Sequence, residues 1–268
     1  MHIDLTTVEI GMLVLGFITG ILSGFFGIGG GVVLVPTLIA IFGFPILNAN
    51  AISLAAMLLP VSILGVVAFY KAGYIDIKNA LWISLGLMGG SYFGAYFAVN
   101  INSALLTKLY AAFLLYISIE YLDIPSYFKK KKSIETEKAP TADYTPRNKS
   151  AWAFILLGIM AGILAGMFGK GGGIVIVPAL VKLFRYHPKA AAATSLAALQ
   201  LPVGLPSVIV YAHSGHLNFL YAGLIAIGIV FGAFFGSIVA VKLPTSIFKK
   251  AFAIFLLIVA IDIVSKYL

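Results

Sequence analysis

Long apolar runs alternate with short polar breaks along the whole chain. In the first half the runs cover about residues 8–26, 32–44, 51–70, 79–99 and 104–122. In the second half they cover about 150–168, 174–184, 193–212, 219–241 and 248–265. A helix needs about 20 apolar residues to cross a bilayer, and most of these runs are long enough. The second run of each half is too short, and it contains Pro36 or Pro178. Such a segment suits a half-helix or a re-entrant stretch. The pattern predicts an all-α polytopic membrane protein with about 8–10 membrane segments.

The two halves match each other. When Gly20 is laid on Gly162 and the chain is read on in that register, Gly20-Ile21-Leu22 pairs with Gly162-Ile163-Leu164. Gly27, Gly29, Gly30 and Gly31 pair with Gly169, Gly171, Gly172 and Gly173. Pro36 pairs with Pro178, Ser53-Leu54-Ala55-Ala56 with Ser195-Leu196-Ala197-Ala198, and Leu59-Pro60-Val61 with Leu201-Pro202-Val203. Gly86, Gly90 and Gly94 pair with Gly228, Gly232 and Gly236. No gap is needed from residue 20 to about 117, and more than a third of the pairs are identical. The domain reading is therefore residues 1–122 as a first transmembrane repeat, 123–149 as a linker and 150–268 as a second repeat. The linker is charged and Pro-containing, which predicts an extramembrane segment.

Basic residues in short loops mark the cytoplasmic side. The loop at 71–78 carries Lys71 and Lys78, and its partner at 213–220 carries no Lys or Arg. The loop at 185–189 carries Arg185 and Lys189, and its partner at 43–47 carries neither. The loop at 242–250 carries Lys242, Lys249 and Lys250, against Lys108 alone at 100–108. The basic loops swap between copies, as two repeats of inverted topology require. An odd number of crossings per copy follows, either five or three, with the linker cytoplasmic and both termini outside the cytoplasm.

Composition agrees with this. Hydrophobic residues make up 61% of the 268 and charged residues 10%, with a mean hydropathy of +1.07. A soluble domain carries about 25% charged residues. The net charge is +9, and basic residues gather in the linker at Lys129, Lys130, Lys131, Lys132, Lys138, Arg147 and Lys149. These are topology-setting charges rather than a nucleic-acid surface. Near the N-terminus, Asp4 and Glu9 stand where a signal peptide would carry lysines, so this stretch reads as mature sequence. The chain has no cysteine, which removes thiol chemistry.

Each glycine cluster, 27–31 and 169–173, disfavours continuous helix by about 1 kcal/mol per glycine relative to alanine. It also frees backbone N–H groups that hydrocarbon does not tolerate, so it must be buried in protein or line a cavity. The half-helix that follows offers the positive end of its dipole, an anion site. Close helix packing is the other use of such glycines. For the fourfold-spaced Gly86, Gly90 and Gly94 and their partners, packing is the preferred reading, within one protomer or in a homodimer. Lys170 lies inside the second cluster, where the first has Ile28. It marks an anion pathway or snorkels to an interface. Small polar residues gather in the third segments: Asn48, Asn50 and Ser53 in one, and Thr194, Ser195 and Gln200 in the other. The two asparagines have a second reading as helix caps. The candidate substrate contacts are Gly29, Gly30, Gly31, Ser53, Lys170, Gly171, Gly172, Gly173, Thr194, Ser195 and Gln200.

No phosphate loop is present, because Leu164 and Gly171 occupy the positions that would need Gly and Ser or Thr. Glu120 and Asp262 occupy matched positions near segment ends and read as interfacial rather than proton-carrying. His213 and His216 have no third ligand in view, so no metal is expected. No catalytic pair is evident. The chain is read as a non-enzyme without cofactors, whose partners are a small anion and the lipid bilayer.

The glycine clusters, together with His187-Pro188-Lys189-Ala190-Ala191-Ala192-Ala193-Thr194-Ser195-Leu196, resemble the sulfite exporter family TauE/SafE, over nearly the whole chain except the linker. The resemblance implies export of small sulfur oxyanions, sulfite or organosulfonates such as sulfoacetate, across a bacterial or archaeal inner membrane. The first copy departs from the Lys-Ala segment, with Ile46-Leu47-Asn48-Ala49-Asn50 in its place, so a role for that segment does not carry over symmetrically. Two rival readings stay open: a carrier for another small anion or solute, and a non-transporting membrane subunit. The inverted reading predicts that single cysteines at positions 74 and 216 label from opposite sides of the membrane. Labelling from one side refutes it.

Overall fold

A polypeptide in hydrocarbon must satisfy its backbone hydrogen bonds internally, and the secondary structure follows that demand. The structure, a computed structural model, describes residues 5–26, 31–58, 63–71, 73–121, 150–169, 172–240, 257, 261 and 265. Among the described residues there is no strand. The first half contains α1 (Leu5–Phe26), α2 (Gly31–Ala40), α3 (Ile46–Ala56), α4 (Ile63–Lys71), α5 (Ile77–Asn100) and α6 (Ser103–Tyr121). The second half contains α7 (Ala151–Phe168), α8 (Gly173–Lys182), α9 (Pro188–Ala198), α10 (Leu205–His213) and α11 (Phe219–Ala240). The linker 123–149 and most of the last apolar run lie outside the described residues.

The apolar runs 51–70 and 193–212 are not continuous helices. Each divides in two, so that three short helices of 9–11 residues follow the first long one in both halves. At 1.5 Å per residue these are about 14–17 Å long, half of a bilayer core of about 30 Å. The physical reason is proline. Pro202 has no N–H to close on the carbonyl of Ala198, where α9 ends. In sequence Pro60 follows Ala56, the last residue of α3, at the same spacing, and residues 59–62 lie outside the described residues.

Turn chemistry is also shared. Gly43 (φ 68°) closes the α2–α3 turn in the left-handed region, and Phe44 N donates to Leu38 O. At the α8–α9 turn the left-handed residue is Arg185 (φ 59°), and Tyr186 N donates to Leu180 O.

Two long helix pairs organise the molecule: α5 with α7, and α1 with α11. Both are glycine-to-backbone contacts. A Cβ on Gly86, Gly90 or Gly94 would run into the carbonyl oxygens of Ile155, Ile159 and Ile163. From the other side, Gly158, Gly162 and Gly166 meet the carbonyls of Ile83, Leu87 and Ser91. In the second pair, Gly228 and Gly232 meet Leu13 and Phe17, while Gly16 and Gly20 meet Ile225 and Ile229. The glycine stripe is thus consumed within the chain and does not face a second copy. Without hydrocarbon-driven association between helices, close van der Waals approach of this kind is what holds them.

The short helices pack inside this frame. One core groups Leu34, Leu38, Ile52, Tyr110, Tyr211 and Ile225; the other groups Ile83, Phe154, Ile176, Leu180 and Tyr186. Large apolar side chains on α5 (Leu85, Tyr92, Phe93, Tyr96) and α11 (Ile227, Phe231, Phe235) point outward. Ser53, Ser84, Ser91, Thr194, Ser207 and Asn50 are buried instead. Exposed aromatics around buried hydroxyls suit lipid as the solvent. Gly90→Leu is expected to cost about 3 kcal/mol or more by forcing α5 from α7. Its neighbour Gly89 faces open space, so Gly89→Ala should be neutral or stabilising by up to about 1 kcal/mol. Thermal unfolding of the two variants in detergent checks the contrast.

Candidate functional site

A helix that stops inside a membrane leaves carbonyls without partners. The C-terminus of α7 is such an end, and side chains from elsewhere satisfy it. Gly169 takes the left-handed conformation (φ 65°) and its N–H donates to Ala165 O. Tyr211 OH on α10 donates to Gly166 O at 2.8 Å. Asn50 Nδ2 on α3 donates to Met167 O at 2.6 Å, and Ser53 Oγ donates to Gly169 O at 2.8 Å. Asn50, Ser53 and Tyr211 are all fully buried. Gly169 also fills a slot where any Cβ would meet Asn50 Cα (2.6 Å) and Val35 Cγ2 (2.9 Å). Gly169, the first residue of the second glycine cluster, is therefore seated on the first half's α2 and α3.

Beyond the break, α8 begins at Gly173, and its N-cap residue, Gly172, has no side chain to cap it. Gly172 and Gly173 are buried, and a Cβ on Gly172 would meet Leu87 Cδ2 (2.7 Å) and Ala161 Cβ (3.4 Å). Gly31 is buried at the start of α2. Gly29, Gly30, Lys170 and Gly171 lie outside the described residues.

The remaining candidates are spread over α9 and its end. Thr194 Oγ1 accepts from Asp76 N at 3.1 Å, which ties it to the loop before α5. Ser195 is 2% exposed, and its hydroxyl makes no hydrogen bond among the described residues. Gln200 donates from Nε2 to Leu196 O at 3.2 Å, and its buried Oε1 has no partner among the described residues. A Cβ on Gly204 would lie 3.7 Å from Leu54 Cδ2 and 3.8 Å from Leu58 Cδ2. The α9–α10 elbow thus abuts the end of α3. Ser53 meets the second glycine break, whereas Thr194 is engaged at the loop before α5.

Several residues that matter here carry no motif. Ser84 Oγ lies 2.8 Å from both Ala198 O and Ala80 O, two acceptors for its one proton. Ser91 Oγ lies 2.8 Å from Val203 O and 3.0 Å from Met88 O, while Ser207 Oγ donates to Ser91 O at 2.8 Å. The signal for Ser84 was Pro202, which leaves the Ala198 carbonyl in need of a donor. Asp76 caps α5 by accepting from Asn79 N, and Tyr186 OH donates to Asp76 Oδ2 at 2.8 Å. At the other end of the molecule, Phe44 meets Tyr221 edge-to-face with centroids 5.7 Å apart. Asn50 does not cap its own helix; it caps α7.

An all-helical fold with exposed aromatics and buried helix breaks suits a membrane protein, and the relatives below place it among probable membrane transporters. The sequence matches the family described as sulfite exporter TauE/SafE over residues 12–263. The chain belongs to that family. It is 28% identical over 263 residues to a probable membrane transporter protein, YunE, of Bacillus subtilis, covering 94% of this chain and 96% of the relative. A probable membrane transporter protein of Methanocaldococcus jannaschii is 33% identical over 217 residues, 78% of this chain and 74% of the relative. One from Haemophilus influenzae is 27% identical over 273 residues, 95% and 97%. No solved structure matches.

The three side-chain donors at the end of α7 yield a stability prediction. Tyr211→Phe removes the hydroxyl that the buried Gly166 carbonyl accepts from, at an expected cost of about 1–3 kcal/mol. Tyr92→Phe on the exposed face of α5 should change nothing measurable in the same thermal unfolding assay.

Proposed function

We propose that the protein exports small sulfur oxyanions, sulfite or organosulfonates such as sulfoacetate, by alternating access between two inverted repeats. One observation carries this reading. Gly169, where the second glycine break begins, is seated in the opposite half, against Asn50 and Ser53, and the buried start of α8 has a glycine at its N-cap. A pocket between the halves at that position would offer backbone N–H groups and neutral hydroxyl donors, the chemistry an oxyanion needs. Ser195 is the buried hydroxyl left uncommitted among the candidate contacts. Lys170, adjoining Gly169 in sequence, would add the positive charge.

Helix bounds support the repeat. In the register that lays Gly20 on Gly162, the bounds of α2, α3 and α4 fall on those of α8, α9 and α10. Loop contacts support the inversion. The Asp76–Tyr186 hydrogen bond joins the loop of Lys71 and Lys78 to the turn of Arg185 and Lys189. The Phe44–Tyr221 contact joins the two loops that lack Lys and Arg. Basic ends then share one face, the cytoplasmic one, and the inside-negative potential favours anion exit.

The test is binding and efflux with purified protein in liposomes, using sulfite, sulfoacetate, taurine, thiosulfate and sulfate. Saturable efflux of sulfite or sulfoacetate, faster with an inside-negative potential, is expected. Movement of none of the five would reject the cargo. Lys170→Ala should raise Kd for the transported anion about tenfold, the loss of one charge-assisted hydrogen bond; an unchanged Kd removes Lys170 from the site.

A further inference from the structure

The helices close into two circuits, each drawn from both halves of the chain. α1 packs on α2, α2 on α3, α3 on α11, and α11 back on α1. α7 packs on α8, α8 on α9, α9 on α5, and α5 back on α7. Each circuit is three consecutive helices of one half, closed by the long glycine helix of the other.

The bonds inside each circuit join the halves. Its longest edge is a glycine seam, α1 on α11 or α5 on α7, where backbone lies against backbone. In the second circuit Ser84 Oγ lies 2.8 Å from Ala198 O, Thr194 Oγ1 accepts from Asp76 N, and Asn79 Nδ2 donates to Tyr186 OH at 2.9 Å. In the first circuit Phe44 and Tyr221 stand at the positions matched to Tyr186 and Asn79, and their rings meet edge-to-face. The core around Ile83, Phe154, Ile176, Leu180 and Tyr186 takes no described residue from the first circuit.

Between the circuits, Asn50 and Ser53 on α3 donate to the end of α7, and α10 lies across α3 and α5. α10 is tied to the second circuit, since Ser207 Oγ donates to Ser91 O and Tyr211 OH to Gly166 O. Swinging one half of the chain against the other would shear both glycine seams and break buried bonds where no water replaces them. Swinging one circuit against the other keeps both seams whole and exchanges the bonds of Asn50 and Ser53.

We infer that the two circuits, and not the two halves of the chain, are the rigid bodies whose relative movement alternates access. Their boundary runs along α3, the end of α7 and α10, so an anion held at Gly169 sits between the moving bodies. This rests on the transport reading above and assigns its moving parts.

The chain has no cysteine, so spin labels can be placed in chosen pairs. Val14, Leu85, Leu156 and Ile227 are exposed, one on each long helix of the circuits. Val14→Cys/Ile227→Cys and Leu85→Cys/Leu156→Cys span the halves within one circuit. Val14→Cys/Leu85→Cys and Leu156→Cys/Ile227→Cys stay within one half and span the circuits. The test is pulsed electron spin resonance on the full chain in lipid nanodiscs, with and without sulfite. The first two distances should hold to about 1 Å, because close-packed bodies do not deform continuously. The last two should shift by about 5 Å, the size of a one-turn displacement. Fixed distances within each half and shifts across the halves overturn the inference. So do four unchanged distances in protein that moves sulfite. If the unmodified protein neither binds nor moves sulfite, the cargo reading fails, and the distributions without anion decide the bodies. Narrow distributions within the circuits and broad ones between them support the inference; equal widths overturn it.

Discussion

Every interruption of a helix in hydrocarbon creates backbone groups that only the protein can satisfy, and the fold is arranged around that demand. The end of α7 illustrates it. Three carbonyls, at Gly166, Met167 and Gly169, receive a tyrosine hydroxyl, an asparagine amide and a serine hydroxyl from two other helices. None of these donors is near in sequence, yet each is buried because the carbonyl it serves is buried. The breaks therefore dictate where these buried polar side chains go.

The glycine-lined helix pairs make room for such an interior. Contact of α5 with α7 and of α1 with α11 is backbone against backbone, which leaves no space for larger side chains and no dependence on a hydrophobic driving force. Each pair joins one helix from either half, so the halves are bound together along two long seams. The short helices between them are held at their ends by hydrogen bonds rather than by length. Long helices supply the frame, and half-helices supply the chemistry.

Hydropathy alone determined that this chain is helical and lies in lipid, because no other solvent accepts so many apolar side chains. Laying one half of the chain on the other located both glycine clusters and both matched prolines. Family membership was legible in the same motifs, since local sequence is what a family shares. Tertiary structure decided that runs 51–70 and 193–212 are two helices each, because an apolar run looks the same whether or not a proline inside it ends the helix. It also decided that Asn50 caps α7 instead of α3, that Thr194 serves Asp76, and that Gly86, Gly90 and Gly94 face α7 instead of a second copy. Hydrogen bonds such as Ser53 to Gly169 join residues 116 positions apart. Partners that far apart are chosen by the packing of helices and by nothing in the local pattern.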